Sequence, residues 1–139
     1  MKSTTELMQE LSFHENIDGF LEKNNDSLDK QSFFEYLNLL AAQKKTSKSK
    51  IIKASQINQV YGYQIFAGTR VPGKDKIIAI ALSMKLNIDE TQRLLKLACA
   101  PVLYPKNSRD CIIIDSINKG TDVTELNSIL YEYGLDCLK

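Results

Sequence analysis

Apolar residues return along this chain at the three- to four-residue interval of helices buried on one side. Phe33, Leu37, Leu40 and Ala41 stand at i, i+4, i+7 and i+8, with Ser32 placed to cap the start. Ile77, Ile80, Ala81 and Met84 repeat at i, i+3, i+4 and i+7. Ile88, Thr91, Leu95 and Ala98 continue the interval, opened by Asn87 with Glu90 three residues on, the arrangement of a capping box. Leu126, Ile129, Leu130 and Tyr133 predict a last helix, with Asp122 and Glu125 at its start and Gly134 to stop it. Nearer the N-terminus, Leu7, Met8 and Leu11, then Ile17, Phe20 and Leu21, predict two short helices followed by a loop over Asn24, Asn25, Asp26 and Ser27. Pro72, Pro101 and Pro105 all fall between these segments, where they interrupt no helical hydrogen bond. The run Ile112-Ile113-Ile114 suits a buried strand as well as a helix. Ser108 and Asp110 before it and Gly120 after it favour a helix, and no other segment offers a strand partner. The chain therefore reads as all-α, with about seven or eight helices.

Length and composition keep this picture within ordinary bounds. A chain of 139 residues, 43% hydrophobic and 25% charged, has room for one domain with helical extensions. No apolar run approaches the roughly 18 residues needed to span a bilayer, so no membrane segment is expected. Met1 to Glu6 carries one lysine with no apolar core behind it, so no secretory signal is expected either. Cys99, Cys111 and Cys137 lie far apart and odd in number, which argues against a disulfide framework or a zinc site. Three reduced thiols point to the cytoplasm.

Charge changes the picture more. Residues 1–42 hold three Lys against eight Asp and Glu, a net charge of −5. Residues 43–76 hold seven Lys and one Arg against the single acid Asp75, a net charge of +7. Residues 77–139 are nearly balanced at −1. The basic stretch, with Lys44, Lys45, Lys48, Lys50, Lys53, Arg70, Lys74 and Lys76, is either a solvated face or a field that attracts a polyanion.

Catalytic chemistry finds no foothold. His14 is the only histidine and has no Cys or acidic pair at metal-ligand spacing, so neither a nucleophilic triad nor a metal site is expected. The segment Gly68-Thr69-Arg70-Val71-Pro72-Gly73 lacks the Gly-Lys-Ser/Thr end of a phosphate loop. Arg109 and Asp110, adjacent at a helix start, read as structural. No enzyme activity and no cofactor are expected.

The basic stretch coincides with a pattern of its own. Ser47 can cap a short helix containing Ile51 and Ile52, and Asn58 can cap a second one running to Ala67, stopped by Gly68. Ser55-Gln56-Ile57 forms the tight connection between them. Two short helices so joined have the geometry that lets the second enter a DNA major groove. Over about residues 32 to 98 this stretch resembles the Cro/C1-type, phage-repressor-like helix-turn-helix family. The resemblance rests on the spacing, the I-x-x-G ending Ile65-Phe66-Ala67-Gly68, the following Pro72, and two further amphipathic helices.

The resemblance implies a lambda-repressor-like domain over residues 31–99, with an acidic helical arm at 1–30 and a C-terminal helical extension, 100–139, packed on the domain. It implies a sequence-specific, bacterial or phage/mobile-element transcriptional regulator that binds double-stranded DNA as a homodimer. Gln59, Val60, Tyr63 and Gln64 would then face the groove behind Asn58. Lys48, Thr69, Arg70, Lys74 and Lys76 would be placed for phosphates. Tyr61 and Phe66 read instead as core.

Three positions depart from the family pattern: Ile52 where a small residue is usual, Gln56 where the turn usually has Gly, and Gly62 where the second helix usually has a branched apolar residue. A glycine in mid-helix costs about 1 kcal/mol relative to Ala and removes a packing contact. A variant packing of this helix is therefore expected, with Tyr61, Ile65 and Phe66 recovering the burial. The same departures, with the acidic arm, also suit a helical protein-interaction module that has kept the helix-turn-helix fold and lost base reading. A protein partner would then dock on the arm or on the C-terminal helices.

Overall fold

The computed structural model describes residues 2–14, 16–24 and 31–139, and these divide into two compact units, 1–30 and 31–139. Among the described residues there are nine α-helices and no strand. None of these helices is long and apolar enough to cross a membrane.

The first unit holds α1 (Thr4–Phe13) and α2 (Ile17–Lys23), each capped by a local side chain, Ser3 accepting from the Glu6 amide and Asn16 from that of Gly19. Phe20 is buried, while Met8, Leu11, Phe13, Ile17 and Leu21 are exposed. The Glu10 carboxylate receives Lys2 and the Asn24 amide, and these hydrogen bonds hold its pKa down at about 2, with the charges of Lys2 and Lys23 adding to the effect. Of the loop expected over Asn24 to Ser27, only Asn24 is described; the rest lies outside the described residues.

The second unit contains α3 (Phe33–Gln43), α4 (Lys48–Ser55), α5 (Gln59–Ala67), α6 (Lys74–Ser83), α7 (Ile88–Leu97), α8 (Ser108–Lys119) and α9 (Val123–Glu132). The starts follow the sequence closely. Ser32, Ser47, Asn58, Asn87 and Asp122 each accept a hydrogen bond from the backbone three residues on, and Asn87 with Glu90 completes the capping box. The Ile112–Ile114 run lies in the middle of α8, where Ile113 is fully buried.

At the centre is α6. Ile77, Ile78, Ala79, Ile80, Ala81 and Leu82 are all buried, so this helix has no solvent stripe through its middle. A helix buried all round needs partners on every side, and α4, α7, α8 and α9 all pack against it. One core therefore runs from Phe33 to Leu130 and includes Ile113, Ile117, Val123 and Leu126 from the last two helices.

Polar clips hold the segments between and after these helices. Gln92 bonds the backbone of Leu103 in both directions, at 2.8 and 2.9 Å, fixing the chain after Pro101. Asp110, buried at the start of α8, accepts from the Tyr104 amide at 2.9 Å and from Lys74 Nζ at 3.0 Å on both oxygens. Arg109 forks onto Asp75 at 3.0 and 3.2 Å and donates to the Asp136 carbonyl, tying the segment after α9 to the start of α6.

Candidate nucleic-acid interface

The pair α4 and α5 is built by local rules. Ser47 caps α4 through the Lys50 amide at 3.2 Å, and Ile51, Ile52 and Ser55 turn its inner side to the core. The connection reverses direction because Gln56 adopts a left-handed backbone, φ 60° and ψ 29°. Asn58 then accepts from the Tyr61 amide at 3.1 Å and starts α5.

The far end of α5 is closed by Gly68 at φ 83°. Its amide donates to Ile65, at 3.2 Å, and that of Thr69 to Gln64, at 3.0 Å, the double pairing of a Schellman ending. A side chain at Gly68 would be excluded twice, by the positive φ and by the Phe34 ring 2.9 Å from where a Cβ would lie. From α3, the Asn38 amide braces the same end by donating to the Phe66 carbonyl at 2.9 Å.

Gly62 and Ile52 turn out to be one feature. A Cβ on Gly62 would stand 2.7 Å from both Cγ1 and Cγ2 of Ile52, so the isoleucine fills the volume the glycine leaves. The burial expected from Tyr61, Ile65 and Phe66 is shared: Ile65 and Phe66 are buried and Tyr61 half-buried, but Ile52 of α4 is what meets Gly62.

With Gly62, Ile65 and Phe66 turned inward, the helical rotation of about 100° per residue brings Gln59, Val60, Tyr63, Gln64 and Ala67 to the opposite arc. Val60 is 66% and Tyr63 41% exposed; Gln59 and Ala67 are exposed and Gln64 half-exposed. No charged residue lies on this face. Gln59 and Tyr63 line a groove of about 250 Å³ with Ser49, Ile52, Lys53 and Ile57.

The basic residues divide into two groups. Lys48 at the start of α4, Lys50 and Lys53 further along it, and Arg70 just past α5 are exposed and form no ion pair among the described residues. Thr69, also exposed, donates its hydroxyl to the Gln64 carbonyl at 3.2 Å. Lys44 pairs with Glu90 at 3.3 Å. Lys74 and Lys76, counted above with the phosphate contacts, are engaged within the fold. Lys74 is held by Asp110, and Lys76 donates to the Lys139 carbonyl at 3.2 Å with its ammonium 5.8 Å from the Tyr61 ring centre.

Ser49 is not singled out from the sequence, and Lys53 is named there only as part of the basic stretch, not as a contact residue. Their spacing of four on α4 is the signal that could have found them, because it sets both on the side next to Gln59 and Tyr63.

Neither a protein-family model, nor a curated protein, nor a solved structure matches the chain.

Among the described residues no three His, Cys, Asp or Glu side chains converge as metal ligands. What the arrangement offers is a firmly seated helix with an uncharged face of mixed polar and apolar side chains, beside cations that form no ion pair among the described residues.

Proposed function

We propose that the chain is a sequence-specific DNA-binding protein of the helix-turn-helix kind, similar to the Cro/C1 repressors, acting as a transcriptional regulator in the cytoplasm. The observation that carries this reading is α5. Its ends and inner side are fixed by Asn58, Gly68, Asn38 and Ile52, yet its outer face is bare and bordered by Ser49 and Lys53. The departures from the family pattern support the reading instead of opposing it. Gln56 adopts the left-handed conformation for which a turn glycine would be used. Ile52 and Gly62 exchange large and small between the two helices and keep the pair closely packed.

In this reading α5 enters the major groove and α4 crosses the backbone above it. Gln59 and Gln64 offer amide groups to base edges, and Lys48, Lys50, Lys53 and Arg70 neutralise phosphates. A homodimer would address two half-sites roughly 34–36 Å apart.

The test is a titration of short duplexes at several salt concentrations. With about four neutralised phosphates per protomer, log K falls against log salt with a slope of about −3.6 per protomer. Alanine at Lys48, Lys53 or Arg70 weakens all sequences alike and lowers the slope by about one, whereas alanine at Gln59 or Gln64 blurs sequence preference. A second reading, a protein-interaction module on the same scaffold, is favoured by the apolar exposure of Val60 and Tyr63 on an uncharged helix face. It gains the argument if no duplex binds tighter than about 10 µM at low salt, weaker than the upper range of ordinary non-specific affinity.

A further inference from the structure

We infer that the α5 face recognises A·T base pairs through adenine edges and thymine methyl groups, and rejects G·C at the positions it covers. This rests on the DNA-binding reading above and names the target class of the same helix.

In the major groove guanine presents two acceptors, O6 and N7, which are met best by the paired donors of Arg or by Lys. Cytosine presents a donor that Glu or Asp accepts. The exposed arc of α5 holds Gln59, Val60, Tyr63, Gln64 and Ala67, and therefore no cation and no carboxylate. It does hold the partners of an A·T pair. Each glutamine amide has a donor and an acceptor side by side, which fits the N7 acceptor and N6 donor of adenine.

Val60 and Ala67 present methyl groups on the same arc, Val60 being 66% exposed. An exposed valine at the second residue of this helix adds nothing to the core, but it complements the C5-methyl that only thymine displays there. The Tyr63 ring can add apolar area to the same contact. Among the described residues Lys53 is the one cation lining the groove beside Gln59 and Tyr63; it sits on α4, the helix that lies against the backbone, and acts on phosphate.

The test uses the full chain and a pool of duplexes with a random core. Selection should enrich half-sites whose central pairs are A·T. Affinity is then measured on one enriched duplex, on the same duplex with its core thymines replaced by uracil, and on versions with single A·T pairs changed to G·C. Uracil removes only the methyl group and should weaken binding by about fourfold per contacted thymine, the value of one methyl-sized group leaving an apolar contact. In Val60→Ala the uracil penalty at the thymine facing that residue should vanish, while circular dichroism shows the helices intact. Each change to G·C should weaken binding by about 5- to 150-fold. Lys53→Ala should weaken the enriched and the G·C-substituted duplexes by the same factor.

Enrichment of G·C cores, or full tolerance of uracil, would overturn the inference and leave DNA binding standing. A Lys53→Ala loss confined to G·C-containing sites would also overturn it. Failure of every duplex to bind would remove the functional reading itself, and this inference with it.

Discussion

The contact between Ile52 and Gly62 makes a prediction whose sign depends on the partner. Replacing a mid-helix glycine by alanine ordinarily stabilises a helix by about 1 kcal/mol. At Gly62 the new Cβ would stand 2.7 Å from two carbons of Ile52 and 3.0 Å from a third, about 1 Å inside the preferred carbon–carbon separation of roughly 3.5–4.0 Å. Isoleucine in a helix has essentially one χ1 rotamer and cannot swing aside. Ile52 is also only 4% exposed, so most of its side chain is hemmed in, although one edge meets the groove beside Gln59 and Tyr63. Overpacking of this kind costs about 1–3 kcal/mol. Gly62→Ala should therefore destabilise the protein by about 1 kcal/mol net.

Ile52→Ala should cost about 2–5 kcal/mol, because Gly62 offers no side chain to relax into the cavity. In that background Gly62→Ala meets no obstacle and should stabilise by about 1 kcal/mol. The change of sign corresponds to a coupling of about 2 kcal/mol between the two sites, well above the few tenths expected of independent positions. Urea unfolding followed by circular dichroism at 222 nm gives all four values; the chain has no tryptophan to follow by fluorescence. If Gly62→Ala stabilised the wild-type protein, the reasoning about this packing would be wrong.

Two other substitutions test the turn and the charge assignments. Lys74→Met keeps the aliphatic stem but leaves the Asp110 carboxylate, only 7% exposed, with the Tyr104 amide as its remaining partner. It should lower stability by about 2–4 kcal/mol while leaving the salt slope of DNA binding unchanged; a slope reduced by about one would instead make Lys74 a phosphate contact. At Gln56, the left-handed backbone costs a non-glycine residue about 1 kcal/mol or more. Gln56→Gly relieves this but loses the 2.7 Å bond to Thr124 Oγ1 at an exposed site, so it should be neutral or mildly stabilising. Gln56→Val should destabilise clearly, and equal midpoints for the two variants in a denaturant titration would contradict the assigned turn.

What the sequence disclosed and what it withheld divide by the distance between partners. Helix starts were legible because a cap and its amide lie three residues apart. Ser32, Ser47, Asn58, Asn87 and Asp122 all act as their positions suggested. The central place of α6 was only half legible: the spacing of Ile77, Ile80, Ala81 and Met84 marks one inward stripe, but Ile78 and Leu82 are buried too, because α6 packs against α4 before it as well as α7, α8 and α9 after it. Lys74 and Lys76 stand at the start of the helix after α5, where the resemblance places phosphate contacts, and nothing local in the sequence points to Asp110, 36 residues on, or to Lys139. Ile52 and Gly62 show the same limit most sharply. Each is a departure on its own helix, Ile52 larger and Gly62 smaller than the family pattern, and the glycine taken alone would weaken the helix pair. Across the contact the two differences cancel, because the isoleucine supplies from α4 the volume that α5 lacks. The exchange lies in the contact between the two helices, and Gln59, Val60 and Tyr63 remain exposed beside it. An altered core beneath a helix is therefore no argument against that helix reading DNA; only its outward residues and the cations beside it bear on the question.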